Sequence, residues 1–173
     1  GDPLPGSSSG MTIRQLFCYS LNSTDAMPVE CVEQDSPWWI THWSIWRQDA
    51  TSFTRIAEAG QPAPGAGQSV LFTNDMRQPG ISLNGEIGFR AALTGTGVTS
   101  ANDFGIWVTN GGTLGLIARE GFQAPGMPAG AKFVNLAIYE QFVMDDEGEA
   151  FFASQVSGGG VATGTDYGLW IAK

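Results

Sequence analysis

Side chains that could perform acid-base or nucleophilic chemistry are rare in this chain. His42 is the only histidine among 173 residues, so a catalytic triad or an imidazole-based metal site would depend on one ring. The sequence contains no Gly-rich phosphate loop, no nucleophile elbow and no paired-cysteine motif. We therefore predict no catalytic residue, no cofactor and no enzymatic activity, and we interpret His42 as structural or incidental with respect to catalysis.

One acidic run offers oxygen ligands for a metal ion. It contains Asp145, Asp146, Glu147 and Glu149, and carboxylate oxygens are the ligands that calcium prefers. The run lacks the spacing of a known calcium loop, and its place in the repeat described below is an ordinary hairpin turn. We prefer the solvated turn and retain calcium as a weak alternative.

Aromatic residues crowd the stretch Ser36–Trp43 (SPWWITHW), which follows the acidic residues Glu30–Asp35. Aromatic side chains often hold sugars or partner proteins, so the candidate binding residues are those of this stretch. They are Trp38, Trp39, His42 and Trp43. Alternatively, the stretch covers an open sheet edge and its tryptophans are buried. Both alternatives stay open at the level of the sequence.

Cys18 and Cys31 are the only cysteines. Two cysteines cannot form a four-ligand zinc site alone, so they form either a disulfide or two buried thiols. A disulfide would suit an exported protein.

An internal repeat organises the chain. Leu116–Gly126 (LIAREGFQAPG) repeats the pattern of Arg55–Gly65 (RIAEAGQPAPG), with matching residues 61 positions apart. The matched pairs at this offset are Trp46/Trp107, Ile56/Ile117, Gly60/Gly121, Pro64/Pro125, Gly65/Gly126 and Phe72/Phe133. The Pro fixes φ and the Gly residues permit positive φ, so each APG segment should be a corner of fixed shape.

Further along the chain the offset grows to 63 residues. The pairs there are Gly85/Gly148, Phe89/Phe152, Gly105/Gly168 and Trp107/Trp170, so two residues are inserted between Phe133 and Gly148. We divide the chain into a tail or linker (1–10), a decayed repeat or capping segment (11–43), repeat 1 (44–104), repeat 2 (105–167) and the start of a further repeat (168–173).

Each repeat contains four short strand-like segments joined by local turns, which predicts an all-β protein built of four-stranded antiparallel repeats. The predicted strands are 11–19, 44–47, 53–58, 80–84, 86–93, 105–109, 114–119, 141–145 and 149–156. Such units resemble the blades of a β-propeller. The alternative is a two-sheet β-sandwich, because so few blades cannot close a ring.

The last hairpin lacks its second strand, since the chain reaches Lys173 just after the GLWIA segment. Met11–Tyr19, another copy of the chain or a neighbouring repeat of a longer chain could supply it. We favour the last two, and we therefore expect self-association or packing against neighbouring repeats.

The net charge and the length of the apolar runs argue against nucleic-acid binding and against a membrane-spanning helix. The net charge of −9 argues against binding a phosphate backbone, so no nucleic acid is expected. No apolar run reaches the length of about 20 residues that a membrane-spanning helix needs.

The ordered pattern GIW, hairpin, LIA-x-x-G-x-x-APG, Phe, N-G-x-I-x-F, G-x-G and D-x-GLW resembles tandem repeats of exported bacterial proteins with uncharacterised function. The resemblance covers residues 44–173 and implies a propeller-like fold and an extracellular or cell-surface location. It carries over no catalytic residue. We predict a non-catalytic module with a structural, assembly or binding role, whose ligand could be a protein or a carbohydrate. The alternative is a carbohydrate-binding or carbohydrate-active propeller that uses a Trp platform and carboxylates.

Overall fold

The computed structural model describes residues 12–18, 21–34, 41–136 and 142–173, and these ranges form three antiparallel sheets of four strands each. The first sheet contains β1 (Thr12–Cys18), β2 (Met27–Gln34), β3 (Thr41–Gln48) and β4 (Phe53–Glu58), in that spatial order. The second contains β5 (Val70–Ile81), β6 (Ile87–Gly95), β7 (Phe104–Asn110) and β8 (Thr113–Arg119). The predicted all-β class and four-stranded antiparallel units are confirmed.

The third sheet repeats this order up to its third strand. β9 (Lys132–Val134) and β10 (Phe142–Met144) both pair with β11 (Ala150–Ser157), which also pairs with β12 (Tyr167–Ala172). β9 and β10 together occupy the place that the long strand β5 holds beside β6. The three sheets do not close into a ring. Over the described ranges, no helix has the length and apolar character needed to cross a membrane.

The corners between sheets have the fixed shape that their sequence predicts. Gly60 and Gly121 have φ values of 81° and 78°, a region that residues with a Cβ rarely adopt. The amide of Gly60 donates to the carbonyl of Phe72 (2.8 Å), and the amide of Gly121 donates to that of Phe133 (2.9 Å). Each corner therefore joins the last strand of one sheet to the first strand of the next in the same way.

The sheets pack face to face through two apolar cores. The first core joins Ile45 and Ala57 of the first sheet to an aromatic trio on the second, formed by Phe72, Phe89 and Trp107. The ring centroids of Trp107 lie 4.9 Å from Phe72 and 6.1 Å from Phe89. The second core joins the other face of the second sheet to a matching trio on the third sheet.

That matching trio is Phe133, Phe152 and Trp170. Its centroid distances from Trp170 are 5.0 Å to Phe133 and 6.1 Å to Phe152, nearly those of the first trio. The indole of Trp170 donates to the carbonyl of Pro125 (3.2 Å), as that of Trp107 donates to Pro64 (2.9 Å). The same geometry thus occurs at both sheet interfaces. Aliphatic side chains pack on an aromatic trio, and the Trp indole of the trio donates to a corner carbonyl.

The structure corrects several strand predictions. β1 pairs with β2 in the first sheet, so the segment predicted at Met11–Tyr19 does not complete the last hairpin. β2 and β9 were not predicted, and the strand predicted at 80–84 is the end of the longer β5, with Ser82–Asn84 in the turn that follows. The sheets are also phased differently from the sequence repeats, because each APG corner carries the chain from one sheet to the next.

Candidate interaction surface

The outer face of β12, formed by Tyr167, Leu169 and Ile171, is exposed and apolar. The same positions on β7 are Phe104, Ile106 and Val108. Ile106 and Val108 are 1% and 2% exposed, whereas Leu169 and Ile171 are 68% and 57% exposed. We call Tyr167, Leu169 and Ile171 the open face.

Packing of the neighbouring sheet explains this difference. Phe104, Ile106 and Val108 belong to the core shared with the third sheet. On the first sheet, Ile45 is likewise buried in the core shared with the second. The open face is therefore the surface that a following sheet would cover, and no described residue covers it to a comparable extent.

β12 is also an edge strand within the described part of the chain. β3 pairs with β2 and β4, and β7 pairs with β6 and β8, but β12 pairs only with β11. An edge strand presents a row of backbone donors and acceptors to any strand that approaches. Apolar side chains and an available strand edge thus occur together at the open face.

The opposite end of the stack has a different chemistry. On the outer side of the first sheet Val29, Cys31 and Trp46 are buried. Where the later copies have Gly105 and Gly168, this sheet has Ser44, whose hydroxyl accepts the indole N–H of Trp46 (2.8 Å) and lies 2.6 Å from Glu33 Oε1. The indole N–H of Trp46 therefore has its acceptor within its own sheet, so the first and third sheets are not equivalent.

The predicted aromatic binding residues do not form one surface where the structure describes them. Trp38 and Trp39 lie outside the described residues. His42 and Trp43 are both partly buried on β3, and as consecutive strand residues they point to opposite faces. The ring of Trp43 stacks on Phe17 (6.2 Å between centroids), and its amide donates to Asn74 Oδ1 (3.3 Å). Trp43 therefore belongs to the boundary between the first and second sheets.

The sequence profile of DUF7453, a family of unknown function, matches residues 1–173. The chain belongs to this family. The match includes the residues before Ser44, where the repeat pattern is weakest. Comparison with curated proteins and with solved structures found no significant match.

The acidic run of this DUF7453 chain forms the turn between β10 and β11. Asp145 Oδ1 accepts the amide hydrogens of Glu147 (2.9 Å) and Glu149 (2.7 Å). No group of three or more His, Cys, Asp or Glu side chains suited to a metal ion occurs among the described residues. Asp145 therefore stabilises this turn. The calcium candidate formed by Asp145, Asp146, Glu147 and Glu149 does not bring its carboxylates together as such a group.

Asp103 and Asp166 recur before β7 and β12 and both accept a backbone hydrogen bond through their carbonyls. Leu93 donates to Asp103 and Val156 donates to Asp166, each at 2.7 Å. The Asp166 carboxylate also accepts from the Gln155 side chain (2.6 Å) and the Gly164 amide (3.0 Å). These bonds lower the pKa of Asp166, and the bond from the Gln155 side chain has the largest effect. Both residues fix the strand-entry loop.

The two cysteines of this DUF7453 chain are free thiols, so the structure does not contain the possible disulfide. The register places Cys31 opposite Leu16 and Cys18 opposite Val29, which makes the two cysteines diagonal neighbours across β1 and β2. Diagonal positions are further apart than the direct cross-strand pairs. Cys18 is exposed and Cys31 is buried.

We expect a thiol reagent to modify Cys18 rapidly and Cys31 only after unfolding. Burial raises the pKa of Cys31 to about 12, and nearby carboxylates act in the same direction, so its reactive thiolate is scarce at neutral pH. Titration with Ellman's reagent should release one equivalent natively and a second in denaturant. Cys18→Ser is the control and should abolish the native reaction. Two rapid equivalents, or none, would contradict this assignment.

The described surface contains several grooves. One, of about 540 Å³, is lined by Leu21, Asn22, Leu83, Val143 and Asp146 among others. The second, of about 490 Å³, lies where the first sheet meets β5 and is lined by Glu30, Trp43 and Asp75 among others.

Tyr167, Leu169 and Ile171 are not among the binding residues predicted from the sequence. The expectation that another segment pairs with the GLWIA strand, combined with strand alternation along β12, would have pointed to these three residues.

Proposed function

We propose that this chain is a non-catalytic assembly module that binds, through the open face, a further sheet of the same repeat type. One observation carries the proposal: Leu169 and Ile171 are exposed where Ile106 and Val108 are buried by the next sheet. An exposed apolar patch on a sheet otherwise packed by repetition marks an interaction surface.

The chemistry of the partner follows from the two interfaces inside the chain. In both, aliphatic side chains (Ile45 in the first, Ile106 and Val108 in the second) meet an aromatic trio of two Phe and one Trp. Leu169 and Ile171 keep the aliphatic character of these side chains. Full burial of each side chain is worth roughly 1.5–3 kcal/mol before the costs of association are subtracted. The partner is therefore a sheet with an aromatic trio. The proposal includes an extracellular or cell-surface location for this chain, which the repeat resemblance implies.

An extended chain tests the proposal. Lys173 occupies the place of Asn110, so repeating residues 111–173 once after Lys173 continues the pattern with one further sheet. The extended chain should melt at a higher temperature, because stacked repeats add their interface energies. Hydrogen exchange of the Tyr167–Ala172 amides should also slow severalfold relative to the original chain.

The matched control is the extended chain with Leu169→Glu and Ile171→Glu in the original copy, which should lose both gains. Equal exchange of β12 with and without the extension would refute the proposal. Dimerisation of the original chain that the same two substitutions abolish would instead make a second copy the partner.

A second candidate function, carbohydrate binding, is favoured by the groove of about 490 Å³. This groove combines the partly buried Trp43 with Glu30 and Asp75, and an aromatic ring beside polar groups suits a sugar. The Trp43 ring already stacks on Phe17, and Asp75 is paired with Arg77, which leaves fewer groups for a ligand. Calorimetric titration with soluble oligosaccharides against the chain and Trp43→Ala tests it: equal heats for both would eliminate this candidate.

A further inference from the structure

We infer that the edge of β12 accepts a donor strand with the side-chain pattern of β4 and β8, in one defined antiparallel register. This inference rests on the proposed function and specifies which part of the partner makes the first contact. It concerns backbone pairing along the strand edge, whereas the proposed function concerns packing on the open face.

The register comes from the two filled edges of the chain. Ile45 lies opposite Ala57 and Trp46 opposite Arg55, so the pairing skips Ile56. Ile106 lies opposite Ala118 and Trp107 opposite Leu116, so the pairing skips Ile117. The same β-bulge thus occurs at the same place in β4 and β8.

The bulge explains why both strands contain Ile followed by Ala. A bulge inserts one residue into the pairing and turns its neighbours relative to the sheet. Ile56 and Ala57 consequently both pack in the first core, and Ile117 and Ala118 both pack in the second. Two consecutive residues of the donor strand therefore face the next sheet.

Small size is required at the second of these positions. Ala57 and Ala118 are buried directly opposite the aliphatic residues Ile45 and Ile106. A larger residue there would compete for the space that the aliphatic side chain fills. Transferred to β12, the pattern places Ala opposite Leu169, a longer residue opposite Trp170, and Ile at the bulge between them.

Burial of the last residue of β8 supports the same pattern. β8 ends at Arg119, which is buried and donates from Nε to the carbonyl of Asn102 (2.8 Å) and from Nη1 to that of Ala66 (2.5 Å). Gly105 pairs with Arg119, so Gly168 is the position that the last donor residue should reach. The donor thus spans β12 from Gly168 to the residues after Ile171.

The test captures a peptide of residues 113–121 on the full chain by disulfide trapping. The chain carries Leu169→Cys in a Cys18→Ser background, and the peptide carries Ala118→Cys. Directly opposed residues in an antiparallel pair have Cβ atoms close enough for a disulfide. We expect this pair to trap severalfold more peptide than a peptide with Gly115→Cys, whose cysteine should lie opposite Ile171 instead.

Two controls make the result specific. A peptide with Ala118→Cys and the remaining residues in scrambled order should trap severalfold less. The extended chain, with Leu169→Cys and Cys18→Ser, should also trap less, because its own added strand already fills the edge. Equal trapping by all peptides, equal trapping by the extended chain, or no trapping at any position would overturn the inference.

This outcome is separable from that of the proposed function. If the extended chain protects β12 from exchange only when Leu169 and Ile171 are intact but the peptide is not trapped, the face binds and the strand inference is wrong. If the peptide is trapped and the extension protects β12 equally with and without Leu169→Glu and Ile171→Glu, the strand inference stands without the proposed sheet packing.

Discussion

Replacing Val108 by aspartate is expected to unfold the protein or nearly so, whereas the same replacement at Ile171 should leave its melting temperature almost unchanged. The two residues hold the same place in β7 and β12, and they are 2% and 57% exposed. Val108 lies opposite Gly88 and packs in the core shared with the third sheet. The difference between these variants therefore measures the effect of one covering sheet.

The magnitude follows from burial of a charge. An unpaired carboxylate in an apolar core costs several kcal/mol even after its pKa rises, and the loss of the valine contacts adds to this. The whole stability of such a protein is about 5–15 kcal/mol. At Ile171 the carboxylate stays in water, so the change is expected to be within about 0.5 kcal/mol.

Urea unfolding followed by tryptophan fluorescence measures both variants. Val108→Ala separates loss of packing from burial of charge and should be much less destabilising than Val108→Asp. Equal destabilisation at Val108 and Ile171 in a monomeric protein would mean that residues of the same chain cover the open face in solution. Such coverage within the chain would count directly against the proposed assembly role.

Local pattern made much of the fold predictable. Trp46, Trp107 and Trp170 could be aligned from the sequence, and Phe72 and Phe133 followed at the same offset. The equivalence of Trp107 with Trp170 and of Phe72 with Phe133 in the two aromatic trios reflects similar local strands and corners. The pairing of β1 with β2 was harder to predict from the sequence, because the first copy lacks the Gly residues that mark the turns of the later copies.

The candidate site was less predictable for a physical reason. The Gly-Ile-Trp-Val segment of β7 and the Gly-Leu-Trp-Ile segment of β12 have the same pattern, yet the first is buried whereas Leu169 and Ile171 of the second are exposed. The difference depends on the neighbouring sheet and not on the strand itself. By contrast, the separation of His42 and Trp43 onto opposite faces follows from strand alternation alone.

A single departure from the repeat distinguishes the first sheet from the other two. A Cβ on Gly105 would lie 2.7 Å from the ring of Trp107, so the Gly leaves room for the indole to cross over it. Ser44 takes that place in the first sheet, and the indole of Trp46 bonds its hydroxyl instead of a corner carbonyl. The substitution of Ser for Gly thus accompanies a Trp whose indole N–H bonds within its own sheet.

Replacing Trp107 by alanine is expected to cost about 3–5 kcal/mol of unfolding free energy, the range found for large aromatic residues removed from a core. Trp107 is fully buried between Phe72 and Phe89, and its indole donates to Pro64 of the corner that joins the first two sheets. Its removal opens a cavity and leaves that carbonyl without its partner. Thermal and urea unfolding measure the loss.

The matched control is Trp170→Ala, which removes the equivalent ring from the third sheet. Trp170 is only partly buried, so its replacement should cost clearly less than that of Trp107. Trp107→Phe keeps an aromatic ring in the trio but removes the bond to Pro64, which is worth about 1 kcal/mol. It should therefore fall between wild type and Trp107→Ala. If Trp107→Phe were as destabilising as Trp107→Ala, the corner bond and not the aromatic packing would hold the first two sheets together.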